Sequence, residues 1–306
     1  MTIKPIFFDP HGELRSGWRI VAFILITGTI TLVFVFLFQF LDVRGHFVGE
    51  VVILVSVLIG SYITARFINH KPFGAIGLNF HPAKYREFGT GCLLGFLMMS
   101  GIFVVQYSSG FVQLMWTGPG LWDTVWVLSS SVSFFAIGAF AEEVLFRGYL
   151  FQTLIQGITA LPAMVLMGIL FALAHLANPH ATTFALINVG LAAVLLSIAY
   201  LKTRSLWLPF GLHLGWNYSQ TTLYSFPTSG IQFTDMKLLV LSQSGPEWLT
   251  GGDFGPEGGM FATIALIAAT WYVLKSKKLA VPVGIITLDS VEDLMDPHIR
   301  SEGQVT

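Results

Sequence analysis

The chain alternates long apolar stretches with short polar segments, and this pattern predicts its secondary structure. A helix needs roughly 20 apolar residues to span the hydrocarbon core of a bilayer, and about eight stretches approach that length. They cover residues 20–40, 48–68, 88–105, 125–150, 161–176, 184–201, 206–224 and 260–274. We therefore predict an all-α fold, a polytopic membrane helical bundle of about eight transmembrane helices. The first stretch is too long for the apolar part of a signal peptide, so we expect it to remain as an anchor.

Composition supports the membrane assignment. Hydrophobic residues make up 54% of the chain and charged residues only 11%, whereas soluble domains carry about 25% charged residues. The net charge of -1 provides no basic surface for a nucleic acid. The lone Cys92 excludes a disulfide within the chain.

Basic residues next to the apolar stretches predict the orientation. Lys and Arg in short loops favour the cytoplasmic side, and most of them fall on one side if both termini are cytoplasmic, which leaves mainly Arg44 on the other. The loop 225–259 has the acidic residues Asp235, Glu247, Asp253 and Glu257 against Lys237 and is placed outside. We expect an integral protein of the plasma (inner) membrane with cytoplasmic N- and C-termini.

Three charged residues interrupt the fourth apolar stretch, namely Glu142, Glu143 and Arg147. A charge at the centre of a membrane helix costs about 2.5 to 3.5 kcal/mol on insertion scales, so these side chains must face protein or water. Glu143 and Arg147 are four residues apart and form a favourable ion pair on a helix, whereas Glu142 points about 100° away. This predicts a structural Glu143 and a general base at Glu142. The alternative is that both carboxylates only hold helices together.

Further polar residues follow on later helices. His175 lies one turn after Phe171, and His213 and Asn217 share one helix face because they are four residues apart. Two donors on one face can stabilise the oxyanion of a tetrahedral intermediate. The alternatives are an interfacial His175 and a hydrogen-bond cluster between helices. Residue counting places His175 deeper along its helix than His213, so a tilt or kink must bring them together.

The motifs EExxxR at 142–147, FxxxH at 171–175 and HxxxN at 213–217 occur in this order on three predicted membrane helices. Over residues 130–222 the chain resembles the CPBP family of intramembrane proteases. That family contains type II CAAX prenyl proteases, bacterial Abi-type proteins, and bacteriocin-processing or self-immunity proteins. The resemblance implies that Glu142 and His175 activate water, that His213 and Asn217 hold the oxyanion, and that Glu143 and Arg147 support the site.

The resemblance leads to a division of the chain and to expected partners. We expect an N-terminal transmembrane region at 1–125, a catalytic core at 126–224, an outer loop at 225–259, a last transmembrane helix at 260–282 and a polar, acidic cytoplasmic tail at 283–306. The expected substrate is a membrane-embedded or membrane-anchored protein or peptide in the lipid bilayer. The two rival hypotheses are a proton-coupled transporter, which often shows internal repeats that we do not find, and a catalytically silent scaffold or immunity protein.

Metal dependence has two alternatives. The chain has no HExxH motif, the usual zinc-protease signature, yet Glu142, His175 and His213 could supply two histidines and a carboxylate to zinc from three helices. We favour water activated by glutamate without a metal or other cofactor.

Overall fold

The fold is that of a computed structural model, which describes residues 4–9, 12–116, 118–233, 235 and 237–288. Its α-helices in chain order are α1 (Lys4–Phe7), α2 (Ser16–Phe40), α3 (His46–Ile63), α4 (Lys84–Ser108), α5 (Leu121–Glu143), α6 (Phe151–Ile158), α7 (Ala160–Ala174), α8 (Thr183–Thr203), α9 (Trp207–Tyr218), α10 (Glu247–Thr250) and α11 (Met260–Lys275). Three π-helical segments extend or join them, at Thr64–Ile68, Val144–Leu150 and Ser219–Leu223. All eight predicted apolar stretches are therefore helical, with ends close to the predicted ones.

Five of these helical segments are long and apolar enough to cross a membrane, judged over the described residues. They are Ser16–Phe40, His46–Ile68, Lys84–Ser108, Leu121–Ile158 and Thr183–Thr203, and Ala160–Ala174 and Met260–Lys275 are shorter apolar helices. The protein is thus an integral membrane protein built as a helical bundle, as predicted. The number of eight crossings stays a prediction.

The helices differ in how much of their surface other helices cover. On α2 the side chains of Leu25, Val33 and Phe36 are each at least 60% exposed, which suits a helix that faces lipid. In contrast, 56% of the most apolar window of α8 is buried, compared with 11% for α2. The helix α8 is therefore central, and α2 lies at the edge of the bundle.

A short antiparallel pair of strands departs from the all-α prediction. The strand β1 (Val112–Trp116) pairs with β2 (Leu239–Gln243), with Leu114 opposite Leu241. The first strand lies between α4 and α5, and the second lies between α9 and α11. The pairing holds these two loops on the same face of the bundle.

Backbone contact between α4 and α9 fixes the position of α9. Gly91 and Gly95 on α4 face Gly211 and Gly215 on α9, and a Cβ added at any of the four would lie only 2.2 or 2.3 Å from a carbonyl oxygen of the other helix. Small residues spaced four apart allow such close helix packing in membranes. We call this contact the glycine seam. It sets the height and rotation of the helix that carries His213 and Asn217.

The start of the predicted cytoplasmic tail is bound to the bundle. The backbone N–H of Leu288 donates to Gln152 Oε1 at 2.9 Å and to the carbonyl of Ala75 at 3.2 Å. The Leu288 side chain is buried in an apolar cluster that includes Tyr149 and Phe151. Residues 289–306, most of the predicted tail, lie outside the described residues.

Candidate active site

One long helix carries the first polar motif. Glu142 and Glu143 end α5, and the chain continues through the π-helical segment Val144–Leu150, which contains Arg147, into α6. A π-helical turn inserts an extra residue into the helical ladder and is frequent at functional sites. The widened turn follows directly after the two glutamates.

Glu143 and Arg147 form the predicted ion pair in the interior of the bundle. Both side chains are fully buried, and Arg147 NH1 lies 3.1 Å from Glu143 Oε1. Arg147 NH2 also donates to the carbonyl of Ala193 on α8 at 3.1 Å, and the guanidinium lies 4.8 Å from the centre of the Phe171 ring. The ion pair therefore links α5, α7 and α8.

Glu143 has a second partner that the sequence analysis missed. His213 Nδ1 lies 2.9 Å from the same Glu143 oxygen. An ionised carboxylate can only accept hydrogen bonds, so Nδ1 of His213 carries the proton of this bond. Glu143 thus lies between a guanidinium and an imidazole, and it fixes the orientation of the His213 ring.

Glu142 has a different environment from Glu143. Its side chain is 36% exposed, and its Oε2 lies 3.9 Å from His213 Nε2. This Oε2 atom is itself buried and accepts no hydrogen bond from the described part of the chain. One of the two neighbouring glutamates is therefore locked in a buried ion pair, and the other opens to a cavity.

His175 directly follows α7, and its ring is held by that helix. Its Nδ1 lies 2.8 Å from the carbonyl oxygen of Phe171, so this nitrogen donates and Nε2 is left for other partners. The ring of Phe171 is 4.7 Å from that of His175 and 6.4 Å from that of His213, measured between centroids. The FxxxH motif therefore provides an aromatic side chain between the two histidines.

A cavity of about 380 Å³ brings the predicted residues together. Glu142 from α5, His175 from the end of α7, and His213 and Asn217 from α9 all line it. The expected difference in depth does not keep the two histidines apart, because both line this cavity. The structure describes no hydrogen bond for the Asn217 side chain, and its four-residue spacing from His213 puts both on the cavity side of α9.

Other polar residues of the cavity come from outside the three motifs. They are Glu50, Asn178, Asn188, Thr228, Ser229 and Glu257. Glu50, on α3, faces Gly138, where a Cβ would lie 3.1 Å from Glu50 Oε2. Glu50 could have been predicted as a site residue, because it is a charged residue inside the predicted span 48–68. Glu257 gave no such signal, because it lies among other acidic residues in the loop 225–259.

Glu142, His175 and His213 are the possible zinc ligands. They share the cavity, yet nowhere in the described ranges are three or more His, Cys, Asp or Glu side chains grouped so that they could hold a metal ion. No step below uses a metal.

Comparison with known proteins covers the part of the chain that carries the three motifs. Residues 124–219 match the family model "Type II CAAX prenyl endopeptidase Rce1-like". The chain contains an Rce1-like segment. All three motifs lie inside this Rce1-like segment, so the resemblance noted from the motifs is confirmed there. The segment covers α5 to α9, while Glu50 and Glu257 lie outside it.

A curated relative extends the similarity beyond the Rce1-like segment. The chain is 27% identical over 170 residues to "Uncharacterized protein YyaK" of Bacillus subtilis (strain 168), and the match covers 54% of this chain and 52% of that protein. The chain thus spans about half the length of this relative. No solved structure matches the chain significantly.

Proposed function

We propose that the protein is an intramembrane endopeptidase that hydrolyses a peptide bond of a membrane-associated or lipidated protein or peptide. The Rce1-like segment supports intramembrane protease activity in general. The observation that carries the proposal is the single cavity lined by Glu142, His175, His213 and Asn217. Such polar groups are unfavourable in a membrane bundle unless they serve a site.

In this proposal Glu142 acts as the general base. Its partly exposed carboxylate lines the cavity, and its buried Oε2 has no partner among the described residues. Glu142 would take a proton from a water molecule whose oxygen bonds to the carbonyl carbon of the substrate. His175 lines the same cavity with Nε2 available and would help to orient that water. When the carbon–nitrogen bond breaks, the proton passes to the leaving amine.

His213 and Asn217 would stabilise the oxyanion that forms on the carbonyl oxygen. Because Glu143 accepts from Nδ1 of His213, Nε2 can donate to the oxyanion only when the ring carries both protons. The carboxylates of Glu143 and Glu142 lie on the two sides of this ring and would stabilise its positive charge. The amide of Asn217 would supply the second donor, as in other oxyanion sites.

The topology and the substrate are part of the proposal. Following the distribution of basic residues, we place both termini in the cytoplasm and the loop 225–259 outside. The substrate reaches the cavity from the bilayer, as an apolar bundle with an internal polar site requires. We also propose the five-part division of the chain, with its catalytic core at 126–224.

The experiment compares wild type with Glu142→Gln, which keeps the shape of the side chain but removes the base. Membranes containing each form are treated with an amine-reactive label, and new protein N-termini are identified by mass spectrometry. The purified proteins are then assayed on the cleaved segments. We expect turnover to fall by about 100-fold or more. Glu247→Gln is the matched control, because Glu247 is exposed in the loop 225–259.

Full turnover by Glu142→Gln would remove this residue from the mechanism. New N-termini that are the same in all three membranes would contradict proteolysis itself. Proton flux into liposomes that depends on Glu142, without any new N-termini, would instead favour the transporter hypothesis.

A further inference from the structure

A second cavity lies at the start of α2, apart from the candidate active site. Its volume is about 990 Å³, and it opens between the first turn of α2 and the end of α6. Ser16, Gly17 and Arg19 line it from α2, and Gln156 and Gly157 line it from α6. In the described part of the chain, no residue of the three motifs lines this cavity. Its polar groups therefore need a separate explanation.

The first turn of α2 leaves its backbone donors free. The first N–H groups of a helix have no acceptor within that helix, and in α2 they belong to Ser16, Gly17 and Trp18. No hydrogen bond from these three N–H groups is found among the described residues, and Arg15, which precedes the helix, gives no side-chain cap. The first turn also has no acidic residue. A Cβ at Gly17 would have no atom within 4 Å, so the space beside these donors is open.

Arg19 adds a buried positive charge at this end of the helix. Its side chain is only 7% exposed, and its Nε is buried with no partner in the described ranges. Its Nη2 donates to Ser16 Oγ at 3.3 Å, which turns the guanidinium back toward the first residue of α2. Its Nη1 donates to Asn69 Oδ1 at 2.7 Å in the amide orientation that satisfies both neighbours of Asn69. Both partners are neutral, so neither compensates the charge.

The residues before α2 do not compensate this charge either. Asp9 and Glu13 also line the cavity, yet neither forms an ion pair with Arg19 within the described residues. Asp9 Oδ1 accepts from the backbone N–H of Glu13 at 2.9 Å. The Glu13 side chain is exposed, so water and salt screen its charge.

This combination of groups favours a bound anion. Buried charges in proteins are normally paired or coordinate an ion, and the positive end of the α2 dipole adds to the charge of Arg19. An anion at the start of α2 would accept hydrogen bonds from the free N–H groups and from the guanidinium at once. Phosphate binds in this way at helix N-termini and to arginine.

The surroundings indicate that a lipid supplies the phosphate. Beyond Arg19, the helix α2 exposes the apolar side chains of Ile24, Leu25 and Leu32, along which acyl chains can pack. Trp18, in the first turn, is also exposed, and tryptophan is enriched at the membrane–water interface. The start of α2 is thus expected at the depth of the lipid headgroups, where basic pockets bind anionic lipids.

We propose that the start of α2 binds the phosphate of an anionic phospholipid through the N–H groups of Gly17 and Trp18 and the guanidinium of Arg19. The acyl chains lie along the exposed apolar face of α2. The site holds the first long helix at headgroup depth and makes the stability of the bundle depend on the charge of the surrounding lipid. It does not depend on the proposed proteolytic function.

The test uses the purified chain in a neutral detergent, with dioleoyl phosphatidylglycerol, dioleoyl phosphatidylcholine or sodium phosphate added. A ligand that binds only the folded protein raises its Tm. We expect phosphatidylglycerol to raise the Tm of wild type by about 3 °C or more, and native mass spectrometry should show the retained lipid. Phosphatidylcholine, whose choline neutralises the phosphate, and sodium phosphate, which lacks acyl chains, should have smaller effects.

Two variants disturb the site in different ways. Arg19→Met removes the charge and keeps an unbranched side chain, whereas Gly17→Asp places a carboxylate in the open space beside the free N–H groups. Both should weaken phosphatidylglycerol binding by about tenfold or more. Without lipid, Gly17→Asp should be at least as stable as wild type, because an acidic side chain stabilises the N-terminus of a helix. Arg86→Met is the matched control, since Arg86 is an exposed arginine in the first turn of α4, and it should bind like wild type.

The results divide clearly. Equal Tm shifts and equal lipid retention in wild type, Arg19→Met and Gly17→Asp would overturn the proposal. Equal effects of phosphatidylglycerol and phosphatidylcholine would also overturn it, because acyl chains alone would then explain binding. If sodium phosphate shifts the Tm as much as phosphatidylglycerol does, and both variants lose this shift, the phosphate site stands and the lipid source is wrong. Gly17→Asp decides alone if Arg19→Met fails to fold, because it leaves Arg19 in place.

Discussion

Arg147 provides the sharpest test of the buried charge arrangement. We consider Arg147→Met, which removes the charge but keeps an unbranched apolar chain in the same space. The substitution leaves Glu143 with His213 as its remaining partner, 2.9 Å away. A paired double substitution, Glu143→Gln with Arg147→Met, removes both charges together. Comparing the two separates the loss of a bond from the cost of a stranded charge.

The magnitude follows from the burial of the pair. Arg147 and Glu143 are both 0% exposed, and breaking a buried ion pair by removing one partner typically costs about 3 to 5 kcal/mol. The carbonyl of Ala193 loses the guanidinium but keeps a hydrogen bond from Ser197 Oγ at 2.8 Å. Most of the loss therefore comes from the buried carboxylate of Glu143, which loses the guanidinium and keeps only His213 as a partner. We expect Arg147→Met to lie in this range.

The double variant is expected to be less destabilised than the sum of its two single variants. In the double variant the glutamine that replaces Glu143 can still accept from His213, and no uncompensated charge remains. The difference from additivity should be at least about 1 kcal/mol, the size found for residues in direct contact. Unfolding in detergent micelles, followed by helix content as SDS is added, measures each free energy. Glu142→Gln, which leaves the pair intact, serves as the comparison.

Two results would refute this reasoning. Arg147→Met with wild-type stability would mean that the guanidinium is not paired inside the bundle. Strict additivity between the two substitutions would mean that Glu143 and Arg147 contribute separately, and the linkage of α5 to α7 and α8 through Arg147 would then need another explanation.

Three further predictions concern the site and its support. Asn217→Ala should lower kcat by about 100-fold to 1000-fold with KM nearly unchanged in a purified assay, and an unchanged kcat would exclude an oxyanion role. Activity should survive prolonged treatment with a chelator, and elemental analysis should find no stoichiometric metal in the purified protein. The metal-free mechanism would be contradicted if removal of bound zinc abolished activity and its return restored it. Gly215→Ala should lower the free energy of unfolding by about 1 to 3 kcal/mol, because its Cβ would lie 2.3 Å from the carbonyl oxygen of Cys92. Gly101→Ala is the control, since a Cβ at Gly101 has no atom within 4 Å and this variant should unfold like wild type. An equal loss of stability in both variants would contradict the glycine seam.

The helices and the first ion pair could be predicted because they depend on residues that are close in the chain. Apolar stretches of membrane length define the helices, and a spacing of four residues defines the pair of Glu143 with Arg147. The order of the three motifs also indicated a shared site, and all four predicted catalytic residues line one cavity.

The rest of the site depends on which helices pack together, and this could not be read from local spacing. The bond from His213 to Glu143 requires α9 to lie beside α5, which the glycine seam and the helix order determine jointly. Glu257 reaches the cavity because its loop packs against α8, where Asn188 donates to the Glu257 carbonyl. The pairing of β1 with β2 likewise joins two short segments that are separated by more than a hundred residues. No hairpin turn connects them, so local sequence could not indicate the pairing.

The glycine seam also defines the smallest part of the chain that can hold His213 and Asn217 in position. In the seam, two backbones touch without intervening side chains, so α9 cannot slide or rotate unless α4 moves with it. The helix α4 lies before the Rce1-like segment, which begins at residue 124. An excised segment of residues 124–219 would expose Gly211 and Gly215 to lipid and would leave His213 and Asn217 without a fixed height in the bundle. Any transplant of this site into another scaffold must therefore carry α4 with it.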